Sequence, residues 1–421
     1  MSETLQISYN SISFRYPAMP DATLSPRAAR PRMTAIERRV TVDLAGIFGL
    51  RMLGMFIILP VFALYAETLP GGNDRFWVGV ALGIYGLTQA ALQIPFGWAS
   101  DRYGRKRLIY IGLLIFSVGS FVAAWAPTLS WVVVGRTLQG AGAISGIVIA
   151  LAADLTRSEV RSRTMAAIGI TIGATFAFSV IAGPFLKNWI GVPGIFALTG
   201  VLALAALAVV CYRIPDPPKV SHERQVELRD FFKVLLDPHL LRLNFGILTL
   251  HAILMALFLQ VPFDLREAGL AAESHWKVYL PVFIGSAALM MPALRRIDSP
   301  RHGHRLFSGA IAVLLLAQAL LMFSHQSLVW LTVALLFFFT AFNLLEATLP
   351  TLVSWQAPPA LKGTATGVYS SLQFFGTFAG AAAGGALAQR WGDMAVFAFC
   401  LGLSFLWLIA SLTAPRGQGM E

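Results

Sequence analysis

Four ionisable side chains stand inside long apolar runs of this 421-residue chain: Arg51, Arg136, His251 and Glu346. A charge at membrane depth is costly enough that such a group is by default a candidate for function. Arg51 lies eight residues inside Asp43, about 12 Å along a helix, too deep for its head group to reach the surface easily. Both arginines keep their charge at any ordinary pH, so they suit anion binding or carboxylate pairing and cannot carry an exchangeable proton. Glu346 can exchange one, and His251 titrates near neutrality without help. Glu346 is therefore the candidate proton acceptor, with His251 modulating it and with substrate and proton competing for one cavity. The competing readings are a Glu346 satisfied by a helix-end donor and a core His251 bonded to a backbone carbonyl. Tyr85 with Gln89, and Tyr369 with Gln373, form i, i+4 pairs on single helix faces.

The elements that hold these residues follow from composition. The chain is 57% hydrophobic and 13% charged, with a mean hydropathy of +0.69, whereas an ordinary soluble domain is roughly 45–50% apolar and about 25% charged. A span of the bilayer core needs about 20 mostly apolar residues. Twelve such runs occur, near 43–66, 77–99, 107–126, 130–152, 164–186, 192–212, 241–262, 276–294, 306–324, 328–352, 363–388 and 394–413. If the N-terminus is inside, nineteen basic residues of loops and tail fall on the inner side and five on the outer. Lys and Arg in short loops favour the cytoplasmic side, so both termini are expected there, in a multi-pass protein of the cell inner membrane. The net charge of +11 then reads as topology signal and attraction to membrane lipid, not as a nucleic-acid site.

Chemistry of other kinds is disfavoured. Two cysteines, Cys211 and Cys400, make neither a disulfide framework nor a metal site. Six of the seven histidines lie in loops or at span edges, so no metal-ligand cluster forms. No G-x-x-x-x-G-K-[ST] loop is present, no nucleophile has a neighbouring base, and the loops are too short for a soluble catalytic domain. No cofactor and no enzymatic activity are expected.

Residues 1–40 have no apolar run of signal-peptide length and read as a disordered cytoplasmic arm, with translation from Met33 as the alternative. The connection over 213–240 divides residues 41–212 from 241–413, six spans from six, and 414–421 form a cytoplasmic tail. The connection opens with Ile214-Pro215-Asp216-Pro217-Pro218, which cannot be helix, and turns amphipathic from about His222 to Leu236. That segment is expected to lie as a short helix on the membrane surface, as a tether or as a regulatory element. An offset of about 198 residues places Gly169 on Gly367 and the basic loop after span two on that after span eight. This pattern suits two parallel six-helix repeats around a midplane cavity.

The loop after span two reads Gly97-Trp98-Ala99-Ser100-Asp101-Arg102-Tyr103-Gly104-Arg105-Lys106-Arg107. It resembles the G-x-x-x-D-R-x-G-R-[RK] signature of the major facilitator superfamily at every defined position. The resemblance implies an all-α membrane fold of twelve transmembrane helices in two pseudo-symmetric six-helix bundles, working by alternating access. It also implies a latch of Gly97, Asp101, Arg102, Gly104 and Arg105, in which Asp101 locks the halves outward-facing against the N-terminus of span eleven, Lys362 to Thr366. The competing reading is a basic loop that only sets topology. Gly135-Arg136-Thr137-Leu138-Gln139-Gly140 is similar to the R-x-x-Q-G element of proton-coupled members, and Gly183-Pro184 to the G-P element of antiporters, although Phe185-Leu186-Lys187 replace the usual glycine pair.

Leu50 to Phe56, Ile84 to Gln89, His275 to Leu280 and Phe342 to Ala347 are similar to the YajR-type branch of drug and proton antiporters. By the same analogy spans two and eleven meet between the halves, so Tyr85, Gln89, Tyr369 and Gln373 border the substrate cavity together with Arg51 and Arg136, or else serve packing. The implied function is a monomeric, proton-coupled secondary transporter exporting amphipathic, drug-like small molecules by antiport. Uptake of a small organic solute by symport or facilitated diffusion is the alternative transport mode, and a membrane sensor or scaffold the alternative class.

Overall fold

The computed structural model describes residues 32–217, 228–297, 303–324, 327–358 and 361–413, and the following statements concern these. The first half contains α1 (Ala35–Phe56), α2 (Leu59–Ala66), α3 (Arg75–Tyr103), α4 (Arg105–Ala124), α5 (Leu129–Ala141), α6 (Ser145–Asp154) and α7 (Ser158–Arg213). The short α8 (Leu228–Leu235) lies in the connection. The second half contains α9 (Pro238–Glu267), a 3-10 turn (Ala272–Ser274), α10 (Trp276–Ile297), α11 (Gly303–Ser324), α12 (Leu328–Gln356), α13 (Lys362–Trp391) and α14 (Asp393–Leu412).

Ten helical segments are long and apolar enough to cross a membrane. One of them, α7, holds two spans joined at Gly191, whose φ of 67° breaks the helix. Glycine adopts this left-handed backbone without the Cβ clash that other residues meet. The 30-residue α13 has the length of a span but is diluted by small residues. These segments account for all twelve runs read in the sequence.

Several breaks have local causes. Pro60, near the start of α2, has no N–H to continue the ladder, and the first span is interrupted at Ile57-Ile58. The fourth span is broken at Gly142 to Ile144, between α5 and α6. Asp74 caps α3 by accepting from the Phe76 and Trp77 amides at 2.9 and 3.3 Å, and Asp237 caps α9, with Pro238 opening the helix.

One boundary differs from the sequence reading. Residues 35–40, assigned above to the arm, are already the first turns of α1, because Thr34 and Glu37 form a reciprocal capping box that satisfies two otherwise orphaned amides. The first 31 residues lie outside the described ones, as do 222–227 of the amphipathic segment and the tail 414–421.

The ends of the helices define two faces. A basic face carries Thr34, Arg102, Arg105, Arg157 and Arg213, and an opposite face carries Glu67, Arg75, Arg266 and Asp393. Helices α3 and α13 bring the halves together near the opposite face. A Cβ on Gly79 would lie 2.1 Å from the Ala381 carbonyl oxygen, and one on Gly86 would lie 2.4 Å from that of Phe374. Towards the basic face the same helices part, since a Cβ on Gly97, Gly363 or Gly367 would meet nothing within 4 Å. The structure is thus shut between the halves at the opposite face and open towards the basic one. At the waist, Phe176 of α7 inserts among Phe258, Phe283, Phe339 and Phe342 of the second half, with ring centroids 5.6–6.3 Å apart.

Candidate functional site

Glu346 of α12, His251 of α9 and Gln373 of α13 come from three different helices and meet in the second half. The Gln373 amide Nε2 is 3.1 Å from Glu346 Oε1 and 2.9 Å from His251 Nε2. The other ring nitrogen, Nδ1, lies 3.3 Å from the Ile247 carbonyl oxygen. A carbonyl only accepts, so Nδ1 carries the hydrogen and Nε2 is free to accept from Gln373. The histidine is neutral in this arrangement, and its Nε2 stands 3.9 Å from Glu346 Oε2. That carboxyl oxygen is buried and has no hydrogen-bond partner, while the Glu346 side chain as a whole keeps 32% exposure. The Tyr369 hydroxyl, one helical turn before Gln373, is also buried without a partner.

The first half holds a different constellation. Arg51 of α1 donates through Nη1 to Ser145 Oγ and through Nη2 to Gln89 Oε1 and, at 3.0 Å, to the Gly142 carbonyl. The break between α5 and α6 is what leaves that carbonyl available. Arg136 of α5 donates to Gln139 Oε1 at 3.0 Å and to the Leu82 carbonyl at 3.2 Å. The Tyr85 ring lies near both guanidinium groups, 5.9 Å from Arg51 and 5.0 Å from Arg136, a cation–π arrangement. All acceptors are neutral, and among the described residues neither arginine has a carboxylate partner. Arg51, Arg136, Tyr85 and Gln89 are each at most 3% exposed, so they are sealed inside the first half and do not form the open cavity wall expected from the sequence.

The sequence-predicted latch is split from its expected partner. Asp101, whose side chain is 63% exposed, pairs with Arg105 one turn along at 2.9 Å and does not reach the N-terminus of α13. Arg105 also pairs with Asp154 of α6, so it ties α4 to the end of the fourth span within one half. Gly104 adopts a φ of 98°, the sharp turn its place in the motif requires, and Arg102 lies over the Trp98 and Tyr103 rings at 5.8 and 5.7 Å. The physical reason for the separation is the parting of α3 and α13 towards the basic face.

Some residues escaped the sequence reading. Asp154 is one, because it closes a run and looks like an ordinary helix end. Asp264 and Gln260 are others: Gln260 stands at the end of the seventh run, 241–262, and Asp264 just beyond it, but α9 continues to Glu267 and both are buried. Their i, i+4 spacing was the available signal.

Comparison with known proteins agrees with this architecture. A model of the Major Facilitator Superfamily matches residues 44–381. The inner membrane transport protein YajR of Escherichia coli K12 is 40% identical over 385 residues, covering 91% of this chain and 84% of YajR. The multi-drug resistance efflux pump PmrA of Streptococcus pneumoniae is 24% identical over 192 residues, covering 44% and 47% of the two chains. Among solved structures, a bacterial homologue of the human lysosomal transporter Spinster, in an inward-facing and occupied conformation, superposes with a TM-score of 0.73. It covers 92% of this chain and 98% of its own at 14% identity, a likeness of fold. With the family match over most of its length, this chain belongs to the Major Facilitator Superfamily: it is a multi-pass membrane transporter and not an enzyme.

Proposed function

We propose that the protein is a monomeric, proton-coupled antiporter of the inner membrane that exports amphipathic small molecules, with its basic face and both termini in the cytoplasm. One observation carries this reading: Gln373 joins Glu346 to His251 where three spans converge, beside the opening towards the basic face. Glu346 Oε2, buried and unpartnered, is the atom with room for the exchangeable proton. Gln373 holds the other oxygen and fixes the carboxyl orientation, and neutral His251, 3.9 Å away, can take up a proton only once its Nε2 releases the Gln373 amide. A substrate entering from the basic face displaces the proton, and emptying towards the opposite face lets a new one bind. The 24% identity to a multi-drug efflux pump supports a drug-like substrate class.

Asp101, Arg102 and Arg105, with Gly97 and Gly104, act in this scheme as the latch of the outward-facing state, engaged once α3 and α13 close at the basic face. Arg51, Arg136, Tyr85 and Gln89 give the first half a fixed positive interior. Uptake by symport is the second reading, favoured by Phe185-Leu186-Lys187 standing where antiporters usually carry glycines.

Proteoliposomes under an imposed pH gradient test the proposal. Addition of lipophilic cations, neutral drugs or organic anions is expected to release protons from an acidic lumen for one class, and Glu346→Gln to abolish that release. Full coupling in Glu346→Gln refutes the assignment of the proton site, and proton movement with the substrate establishes symport instead.

A further inference from the structure

At the opposite face the halves are joined by a polar clasp centred on Arg75, the first residue of α3. Its guanidinium Nη1 donates to Gln260 Oε1 of α9 and to Asp393 Oδ1 of α14, both at 3.1 Å, and its backbone amide donates to Gln389 Oε1 of α13 at 2.8 Å. The guanidinium also lies 4.2 Å from the centre of the Phe263 ring. One residue of the first half thus holds three helices of the second. Behind it, Gln260 Nε2 donates at 2.9 Å to Oδ1 of Asp264. Asp264 is only 1% exposed, and its Oδ2 is buried with no partner.

We propose that Asp264 is a second proton-exchange site, separate from Glu346, and that the proton it binds holds the opposite face shut. A carboxylate with one oxygen sealed from water and undonated has lost solvation without compensation, whereas the acid form carries its own hydrogen on that oxygen. Gln260 spends its amide hydrogen on Oδ1 and its carbonyl on Arg75, so the clasp and the carboxyl share one side chain.

The charged and titratable groups around Asp264 come from every element at this end: Arg75 on α3, Asp393 on α14, Arg266 and Glu267 on α9, Tyr279 on α10, Glu67 beyond α2, and His275 beyond the 3-10 turn. Among the described residues Arg75 is the cation whose hydrogen bonds reach the network directly, and it is divided between Gln260 and Asp393. Arg266 is taken by Glu67 at 2.8 Å, and His275 by the Leu270 carbonyl at 3.2 Å. The Tyr279 hydroxyl is buried and unpartnered. A cavity of about 150 Å³ lined by Glu67, Asn73, Arg75 and Phe263 lies beside the clasp, on the Arg75 side. When the halves part, Asp264 meets water and gives up its proton there; when they close, it must first take one back. Because the closed state then binds one proton more than the open state, acid on this side favours closure by mass action. Such a step would couple the return of the empty transporter to external protons even when Glu346 is silent.

Pulsed electron-spin distances between labels at Thr68→Cys and Met394→Cys, in a Cys211→Ser, Cys400→Ala chain, report this face across the halves. The measurement is made in the Glu346→Gln background, which removes the carboxyl of the proposed transport site; His251 remains in both arms, so the difference made by Asp264→Asn isolates Asp264. Lowering the pH from about 8 to about 6 is expected to raise the ratio of short to long distances several-fold, and adding Asp264→Asn is expected to remove that response. No pH response in Glu346→Gln, or a full response retained with Asp264→Asn, overturns the proposal. If Asp264→Asn is not recovered folded, infrared spectra of the Glu346→Gln protein with isotope-labelled aspartate replace it. A buried, protonated aspartate C=O band at neutral pH supports the site, and its absence overturns it.

Discussion

The way α3 and α13 splay makes two glycines opposite in effect. At Gly79 an added Cβ would sit 2.1 Å from the Ala381 carbonyl oxygen, 3.0 Å from its carbon and 3.3 Å from the Gly385 Cα. Ordinary contact begins near 3.4 Å, so Gly79→Ala forces the helices apart by more than an ångström, and no flexible side chain is available to yield. Overpacking of this kind costs about 1–3 kcal/mol. The strain exists only while the opposite face is shut and vanishes as it opens, so the whole cost enters the equilibrium between the two states. The open population should rise about 5- to 150-fold. Gly367, near the other end of α13, has no atom within 4 Å of its ideal Cβ. Gly367→Leu places its Cβ in open space in the present state and its longer side chain towards the space into which the basic face must close, and it biases the protein the other way. Spin-label distances across the opposite face should lengthen in Gly79→Ala and remain short in Gly367→Leu. A single direction of change for both, or none in Gly79→Ala with thermal stability preserved, refutes the reasoning.

Two further predictions concern charge. Arg51→Lys keeps the charge but not the fork, leaving Gln89 and the Gly142 carbonyl short of a donor at about 1–3 kcal/mol each; the thermal midpoint in detergent should fall, and an unchanged midpoint would show that the Arg51 fork does not stabilise the first half. Asp154→Asn should destabilise the protein more than Asp101→Asn, because Asp154 is 16% exposed and Asp101 63%, and an exposed ion pair contributes less than about 1 kcal/mol. The reverse order of midpoints would mean that the motif is held by the surface pair.

Spans and motif were legible in the sequence because the bilayer imposes a simple demand: about twenty apolar residues with every backbone group satisfied internally. The four ionisable residues inside the runs were visible for the same reason, and three-way contact among Glu346, His251 and Gln373 follows once α9, α12 and α13 converge. Distance along the chain hides such contact: Gln373 is 122 residues from His251. The clasp was hidden by a different effect. Gln260 and Asp264 fall where hydropathy declines, and hydropathy cannot separate a helix that ends at the interface from one that continues into contact with a partner half. Pairing with Arg75 needs both halves in place. The latch could not be read either, since a motif names residues but not the state in which they meet.

The placement of charge between the halves has a consequence for mechanism. Arg51 and Arg136 are permanent cations held by neutral acceptors, so the first half presents a positive interior that no pH change within the working range alters. The groups proposed above to exchange protons, Glu346, His251 and Asp264, all belong to the second half. On the reading proposed above, proton traffic therefore changes the charge of one half against a constant charge in the other. Neither arginine contacts Glu346, whose carboxyl is hydrogen-bonded by Gln373, so any influence of the charge of one half on the other acts through space, in the low dielectric of the interior. Removing one of these two cations with Arg51→Gln should move the pH midpoint of transport in the alkaline direction, since a fixed positive charge in a low-dielectric interior disfavours proton binding within reach of its field. An acid shift, or none in a folded protein that still transports, would show that the two halves do not communicate through charge.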